Sequence, residues 1–172
     1  LNGQVTDMTS NTATVKTFAA VTIPAPIKTL FDDIAFAQVA AEHISAATNT
    51  PVTIEDTVTQ DMLDKVTVLR VLSGQPRRIT SLQGIGHLRN LQDLMIENQL
   101  ITRLPEEFGT LAKLTSAHFG NNSIKSIPDW IGNLHNLTSL NLSSQLPRGI
   151  LRGGIPESIG NLTKLERFDV GN

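Results

Sequence analysis

The chain of 172 residues has no cysteine, no tyrosine and a single tryptophan. The missing thiols exclude a disulfide scaffold, thiolate metal ligation, iron–sulfur clusters and thiol catalysis. Charged residues are also scarce at 17%, against roughly 25% in an average soluble domain, so Thr, Ser, Asn and Gln must cover much of the surface. A net charge of −2 and a pI near 6.1 provide no basic field to hold nucleic acid or an anionic membrane. No apolar run reaches the ~18 residues of a membrane-spanning helix, so membrane insertion is not expected. The first residue is Leu1 and no secretory leader is visible; a processed or truncated product is expected, which leaves export open.

Catalytic signatures are absent too. There is no Gly-x-Ser-x-Gly, phosphate-binding loop or dinucleotide fingerprint. His43, His87, His118 and His135 form no i,i+4 pair, so neither a metal nor another cofactor is expected. Asp32 and Asp33 are adjacent, and neighbours on a helix do not face one another; they suit a helix start better than a carboxylate dyad. The expectation is a protein that is not an enzyme.

What the chain does have is repetition. "SIPDWIGNLHNLTSLNL" at 126–142 returns in altered form as "GIPESIGNLTKLERFDV" at 154–170. Leu91, Leu114 and Leu137 open successive units at a spacing of 23 residues. The unit before them starts at Val66, and the unit after Leu137 reaches Leu165, with extra residues at 73–78 and 146–153. Pro105, Pro128 and Pro156 recur at one repeat position, where each would break a long helix. The pattern L-x-x-L-x-L-x-x-N-x-L at this period is that of leucine-rich repeats. Each unit is expected to supply a short strand with inward leucines and a helical or extended back segment opened by the Leu-Pro or Ile-Pro turn. Stacked, the units form an α/β fold: a right-handed solenoid with a parallel sheet on its concave side. The ninth position carries Asn122 in one unit but Gln99 and Gln145 in its neighbours. Asn there satisfies buried backbone groups, so an imperfect ladder is expected.

Three zones follow. Residues 1–25 are Thr-rich and read as an extended or flexible lead-in, with a short strand at "TVKTFAAVTI". Residues 26–65 read as a helical module. Leu30, Ile34, Phe36, Val39, Ala40 and Ile44 recur near helical spacing, Asp32 and Asp33 open that helix, and Thr59 caps a second one. Residues 66–172 hold four full repeats and a truncated fifth. A solenoid exposes the apolar cross-section of its first coil, so the helical module is expected to cover it, burying Leu30, Phe31, Phe36, Val39, Leu63 and Val66. No comparable C-terminal lid is visible, and further repeats or domains are expected beyond residue 172.

"PIKTLF" at 26–31, "DTVTQDMLDKVT" at 56–67 and "ITSLQGI" at 79–85 resemble the helical cap and first repeat of internalins. These are leucine-rich-repeat surface or secreted proteins of Listeria and related Gram-positive bacteria. The likeness spans residues 25–91; beyond it, "LPEEFGTL" and "IPDWIGNL" depart from the internalin back segment. The resemblance implies an extracellular or cell-surface protein, possible involvement in virulence, and a protein partner. Side chains between the strand leucines face the concave side, giving Asp93, Met95, Glu97, Ser116, His118, Ser139, Asn141, Arg167 and Asp169 as candidate contacts. Arg148 and Arg152, in the second insertion, form a candidate contact loop. The expected role is non-catalytic protein binding by a monomer. The alternative is a recognition arm or spacer of a larger effector enzyme whose catalytic domain lies beyond residue 172.

Overall fold

The computed structural model describes residues 22–71, 77–146 and 153–171. Most of the lead-in and of the strand expected at 14–23 lies outside these, as do Arg148 and Arg152. Residues 22 and 23 are irregular, and Ala25–Pro26 forms the short strand β1. Helices α1 (Ile27–Leu30) and α2 (Ile34–Thr48) follow, then β2 (Thr57–Val58), antiparallel to β1, and α3 (Gln60–Leu63). From there the chain winds through β3 (Val68–Val71), β4 (Asp93–Ile96), β5 (Ser116–His118), β6 (Ser139–Asn141) and β7 (Arg167–Asp169). These make one five-stranded parallel sheet in sequential order, as expected when each strand belongs to one coil.

The spacing of 23 residues reappears as register, with Leu94 beside Ala117 and Ala117 beside Leu140. Their side chains, with Leu91, Leu114 and Leu137, fill an interior in which all six are at most 1% exposed. After Pro105, Pro128 and Pro156, the back segments are single 3₁₀ turns at Glu106–Thr110, Asp129–Asn133 and Glu157–Asn161. Proline suits the position before such a turn, where its fixed φ costs nothing and no N–H is required. Trp130 lies half-buried on this back layer, its ring centroid 6.0 Å from that of Phe108. The repeat glycine before it explains the closeness: a Cβ on Gly109 would sit 3.1 Å from the indole.

The buried amide ladder is more complete than its mixed residues suggest. Asn122 Oδ1 accepts from Ile101 N–H at 3.1 Å, and Nδ2 donates to Ile96 and Phe119 carbonyls at 2.8 and 3.0 Å. Gln99 and Gln145 do the same work with one more methylene. They accept from Ile79 N–H (3.1 Å) and Ile124 N–H (2.9 Å) and donate to strand-end carbonyls. Each of the three is at most 4% exposed. Just before, Asn98, Asn121 and Ser144 turn the chain with positive φ of 53–57°.

A second ladder runs along the flank that leads into the strands. Lys113 Nζ donates to Asn90 Oδ1 at 2.7 Å and Lys164 Nζ to Asn136 Oδ1 at 2.6 Å. The two Asn amides donate in turn to backbone carbonyls of the preceding unit, Asp64 and Ala112, both at 2.8 Å.

The helical layer covers the first coil. Leu30, Phe31, Phe36, Val39, Leu63 and Val66 are all at most 4% exposed and join the core of the repeats. Thr59 caps α3, accepting from Met62 N–H at 3.4 Å. Of the two acids before α2, only Asp33 acts as the cap. One oxygen accepts from Phe36 N–H at 3.0 Å, and the other accepts from Thr80 N–H and Oγ1 at 2.8 Å each. One carboxylate thus starts a helix and ties it to the first repeat, while Asp32 is exposed. Ile34, one of the helically spaced apolar residues, is not part of the packed face: it is 52% exposed. As the first residue of α2, its side chain leans toward the N-terminal side of the helix, short of the packed face that begins at Phe36 and Ala37. Gly84 marks the tightest approach between the two parts, since its φ is +98° and a Cβ there would lie 2.0 Å from Leu30 O.

Candidate functional site

Strand alternation sends every second side chain of the sheet away from the leucine interior, and parallel register aligns them into rows. One row runs Val68, Asp93, Ser116, Ser139, Arg167; the next runs Arg70, Met95, His118, Asn141, Asp169. A third, at the strand exits, contains Glu97, Gly120 and Ser143, since a Cβ on Gly120 would lie between the other two side chains. The nine concave-face candidates therefore fall on one surface, in order.

Their environments differ. Asp93 is ion-paired with Arg70, a residue the sequence reading left out although "VLRV" obeys the same strand pattern. Val68 beside it is 43% exposed. Ser139 is only 6% exposed, which makes it a support for its neighbours more than a contact. Its Oγ lies 3.0 Å from His118 Nε2, and Ser116 Oγ lies 3.4 Å from the same nitrogen. Serine beside histidine invites a nucleophile reading, but that chemistry needs a third group orienting the ring and donors for an oxyanion. Among the described residues no side chain bonds His118 Nδ1, so the hydroxyls serve to fix the ring on the sheet. Asn141 Oδ1 accepts from Ser143 N–H at 2.9 Å and Oγ at 2.7 Å. Asp169 Oδ1 accepts from Gly171 N–H at 2.9 Å, and Arg167 is exposed.

Beyond the edge of β3, α2 is hydrogen-bonded to the sheet. His43 Nε2 accepts from Arg70 N–H at 3.0 Å, while Nδ1 donates to Val39 O at 2.8 Å. This satisfies an edge amide that would otherwise invite another strand. A groove of about 490 Å³ lies between helix and strand, lined by Val39, Glu42, Val68, Arg70 and Arg77 among others. It was not legible in the sequence, because the contact between α2 and β3 is tertiary. Among the described residues, no group of three or more His, Asp or Glu side chains is placed to hold a metal ion, and no helix is long and apolar enough to cross a membrane.

Comparison with known proteins agrees with this architecture. A sequence model of the leucine-rich repeat region matches residues 51–172. No curated protein gives a significant match. The fold is similar to internalin C2 of Listeria monocytogenes, at 25% identity and a TM-score of 0.69, over 90% of this chain and 62% of that one. It is also similar to internalin F of the same organism, at 25% identity and a TM-score of 0.53, over 88% of this chain and 48% of that one. The chain thus spans less than two thirds of the length of either. Leucine-rich-repeat folds are in general binding scaffolds for proteins, without catalytic activity of their own. With its stacked coils, its single parallel sheet and the helical layer on its first coil, the chain belongs to the leucine-rich-repeat family and is internalin-like.

Proposed function

We propose that the chain is the protein-binding module of an exported bacterial protein, secreted or held at the cell surface, which engages a host or neighbouring protein as a monomer through its concave sheet. In this reading residues 26–65 are the cap, residues 66–172 the binding solenoid, and residues 1–25 a lead-in. The observation that carries the proposal is the face itself. Five strands present ordered rows of Asp93, Ser116 and Arg167, and of Met95, His118, Asn141 and Asp169, on one hydrogen-bonded parallel sheet. Side chains pre-positioned in this way lose little conformational freedom on binding, which favours affinity. Fixed hydroxyl and amide groups select a complementary partner by leaving any other one with unpaired polar groups.

The test uses fluorescently labelled protein on cultured animal cells and on bacterial cells. Saturable binding is expected, and it should be lost in the triple variant Asp93→Lys, His118→Glu, Asn141→Arg. Lys125→Glu, at an exposed position beyond the turn that leaves the sheet, should bind as the parent does. Equal binding by the triple variant, with its circular dichroism unchanged, would overturn the role given to the concave face.

A further inference from the structure

His118 stands on the middle strand of the concave sheet, with Met95 beside it on β4 and Asn141 beside it on β6. Ser139 settles how its ring is protonated. That residue is 6% exposed, and its hydroxyl has one hydrogen-bond partner among the described residues, His118 Nε2 at 3.0 Å. A hydroxyl can donate or accept. If Nε2 carried the proton, the Ser139 hydroxyl would accept, and its own proton would be left without an acceptor in a buried place, which is unfavourable. Ser139 therefore donates, Nε2 accepts, and the neutral ring keeps its proton on Nδ1.

Asn141 is fixed in the same sense. Its Oδ1 accepts from Ser143 N–H at 2.9 Å and Ser143 Oγ at 2.7 Å. A backbone N–H only donates, so the amide cannot be turned over, and Nδ2 keeps two protons with no partner among the described residues. Neither nitrogen is sealed in. The one buried side-chain polar atom without a partner among the described residues is Ser158 Oγ, so His118 Nδ1 and Asn141 Nδ2 both reach the surface. They belong to register neighbours, whose strands run roughly 5 Å apart. The charges around them are of both signs. Glu97 and exposed Arg167 have no ion-pair partner among the described residues, and the Asp169 carboxylate lies in register with Asn141. A mixed field does not select an anion, and a carboxylate next to Asn141 disfavours one.

We propose that Ser139 is a positioning residue that locks His118 in its Nδ1–H form, and that His118 and Asn141 together offer N–H donors to an uncharged amide carbonyl oxygen of the protein partner. The inference rests on the concave face being the binding face and deepens it by naming the polarity the partner needs at the centre of that face. Locked donors discriminate, because a partner that brings another donor to this point leaves both sides unpaired.

Two readings test it. The first is the long-range proton–nitrogen correlation spectrum of the isotope-labelled chain at about pH 8, where an imidazole is neutral; the signals missing from His118→Asn assign the ring. The parent should show Nδ1 carrying the proton and Nε2 without one, and Ser139→Ala should redistribute that proton between the two nitrogens. A protonated Nε2 in the parent, or a ring unchanged by Ser139→Ala, would overturn the inference. The second reading repeats the cell-binding assay with two variants of nearly equal size. His118→Asn keeps an N–H donor near the Nδ1 point, whereas His118→Asp replaces it with a carboxylate. With circular dichroism unchanged in both, Asn should bind within about threefold of the parent and Asp at least roughly tenfold more weakly. Equal binding by the two, or tighter binding by Asp, would overturn the inference. Failure is separable from that of the proposed function. A parent that binds neither cell type overturns the face and leaves the tautomer to be decided by the spectrum; loss of binding in the triple variant together with a protonated Nε2 keeps the face and discards the lock.

Discussion

Replacing Asn122 by Ala tests the amide ladder directly. The side chain is fully buried; it accepts from Ile101 N–H at 3.1 Å and donates to Ile96 O at 2.8 Å and Phe119 O at 3.0 Å. Phe119 O retains the Gln145 amide at 2.9 Å, so two groups, Ile101 N–H and Ile96 O, lose this partner inside a dry core. A buried polar group left without a partner costs about 1–3 kcal/mol, which puts the loss at roughly 2–6 kcal/mol. Asn122→Gln offers the matched comparison. Glutamine fills the equivalent place at residues 99 and 145, so this variant should lose less than about 1.5 kcal/mol, as expected when the bonds are kept and only a methylene must be accommodated. Urea unfolding measures both, followed by far-ultraviolet circular dichroism and by fluorescence of Trp130, the only tryptophan. With a slope near ~2 kcal/mol/M, a loss of ~3 kcal/mol lowers the midpoint by about 1.5 M. A loss below ~1 kcal/mol for Asn122→Ala, or equal losses for the two variants, would refute the account of the ladder.

Further expectations concern the backbone and pH. Gly132→Ala would place a Cβ 2.7 Å from Ser158 O, whereas Gly160 has nothing within 4 Å of the same point. Thermal melts should show Gly132→Ala destabilised by about 1–3 kcal/mol, with Gly160→Ala neutral or up to ~1 kcal/mol stabilised by reduced unfolded-state entropy; the reverse order would refute the packing argument. Ser144→Gly, at φ +53°, should relieve left-handed strain, with a gain of up to about 1 kcal/mol in the same melts. Burial lowers the pKa of His87, with Glu107 opposing only in part. Its neutral form is therefore the stable one in the fold, and its contribution is complete above the unfolded value of ~6.5 and lost as pH falls through and below it. Burial tends to raise the Asp33 pKa, but hydrogen bonds from Thr80, Phe36 and Ser81 outweigh it and hold the carboxyl below its ordinary value. Its contribution is present above ~3.9 and lost below that. Melting temperature should fall in a shallow step below pH ~6.5 that His87→Gln removes, then more steeply below pH ~4; a flat profile from pH 7 to 5 in the parent chain would contradict the first assignment.

The repeats were legible because their cause is local. Parallel stacking demands the same inward positions in every coil, so Leu91, Leu114 and Leu137 announce themselves by spacing alone. Caps were also readable at Thr59 and Asp33, since an N-cap acts within three residues of itself. What failed or was missed depends on contacts distant in sequence. The exposure of Ile34 depends on where the layer beneath α2 ends. The working Gln99 and Gln145 rungs depend on how far a neighbouring coil stands away, which one extra methylene happens to span. The pairing of Arg70 with Asp93 and the bond from Arg70 N–H to His43 join residues 23 and 27 positions apart, and no local pattern signals them.

The flank on which Lys113 reaches Asn90 and Lys164 reaches Asn136 has a consequence for engineering. The coils repeat singly in the core but in pairs along that flank, so the true unit cell of the solenoid is two turns long. Excising or duplicating one turn would set ammonium against ammonium or amide against amide. Changes made two turns at a time would leave the flank seamless, and designed shorter or longer variants should be cut to that measure.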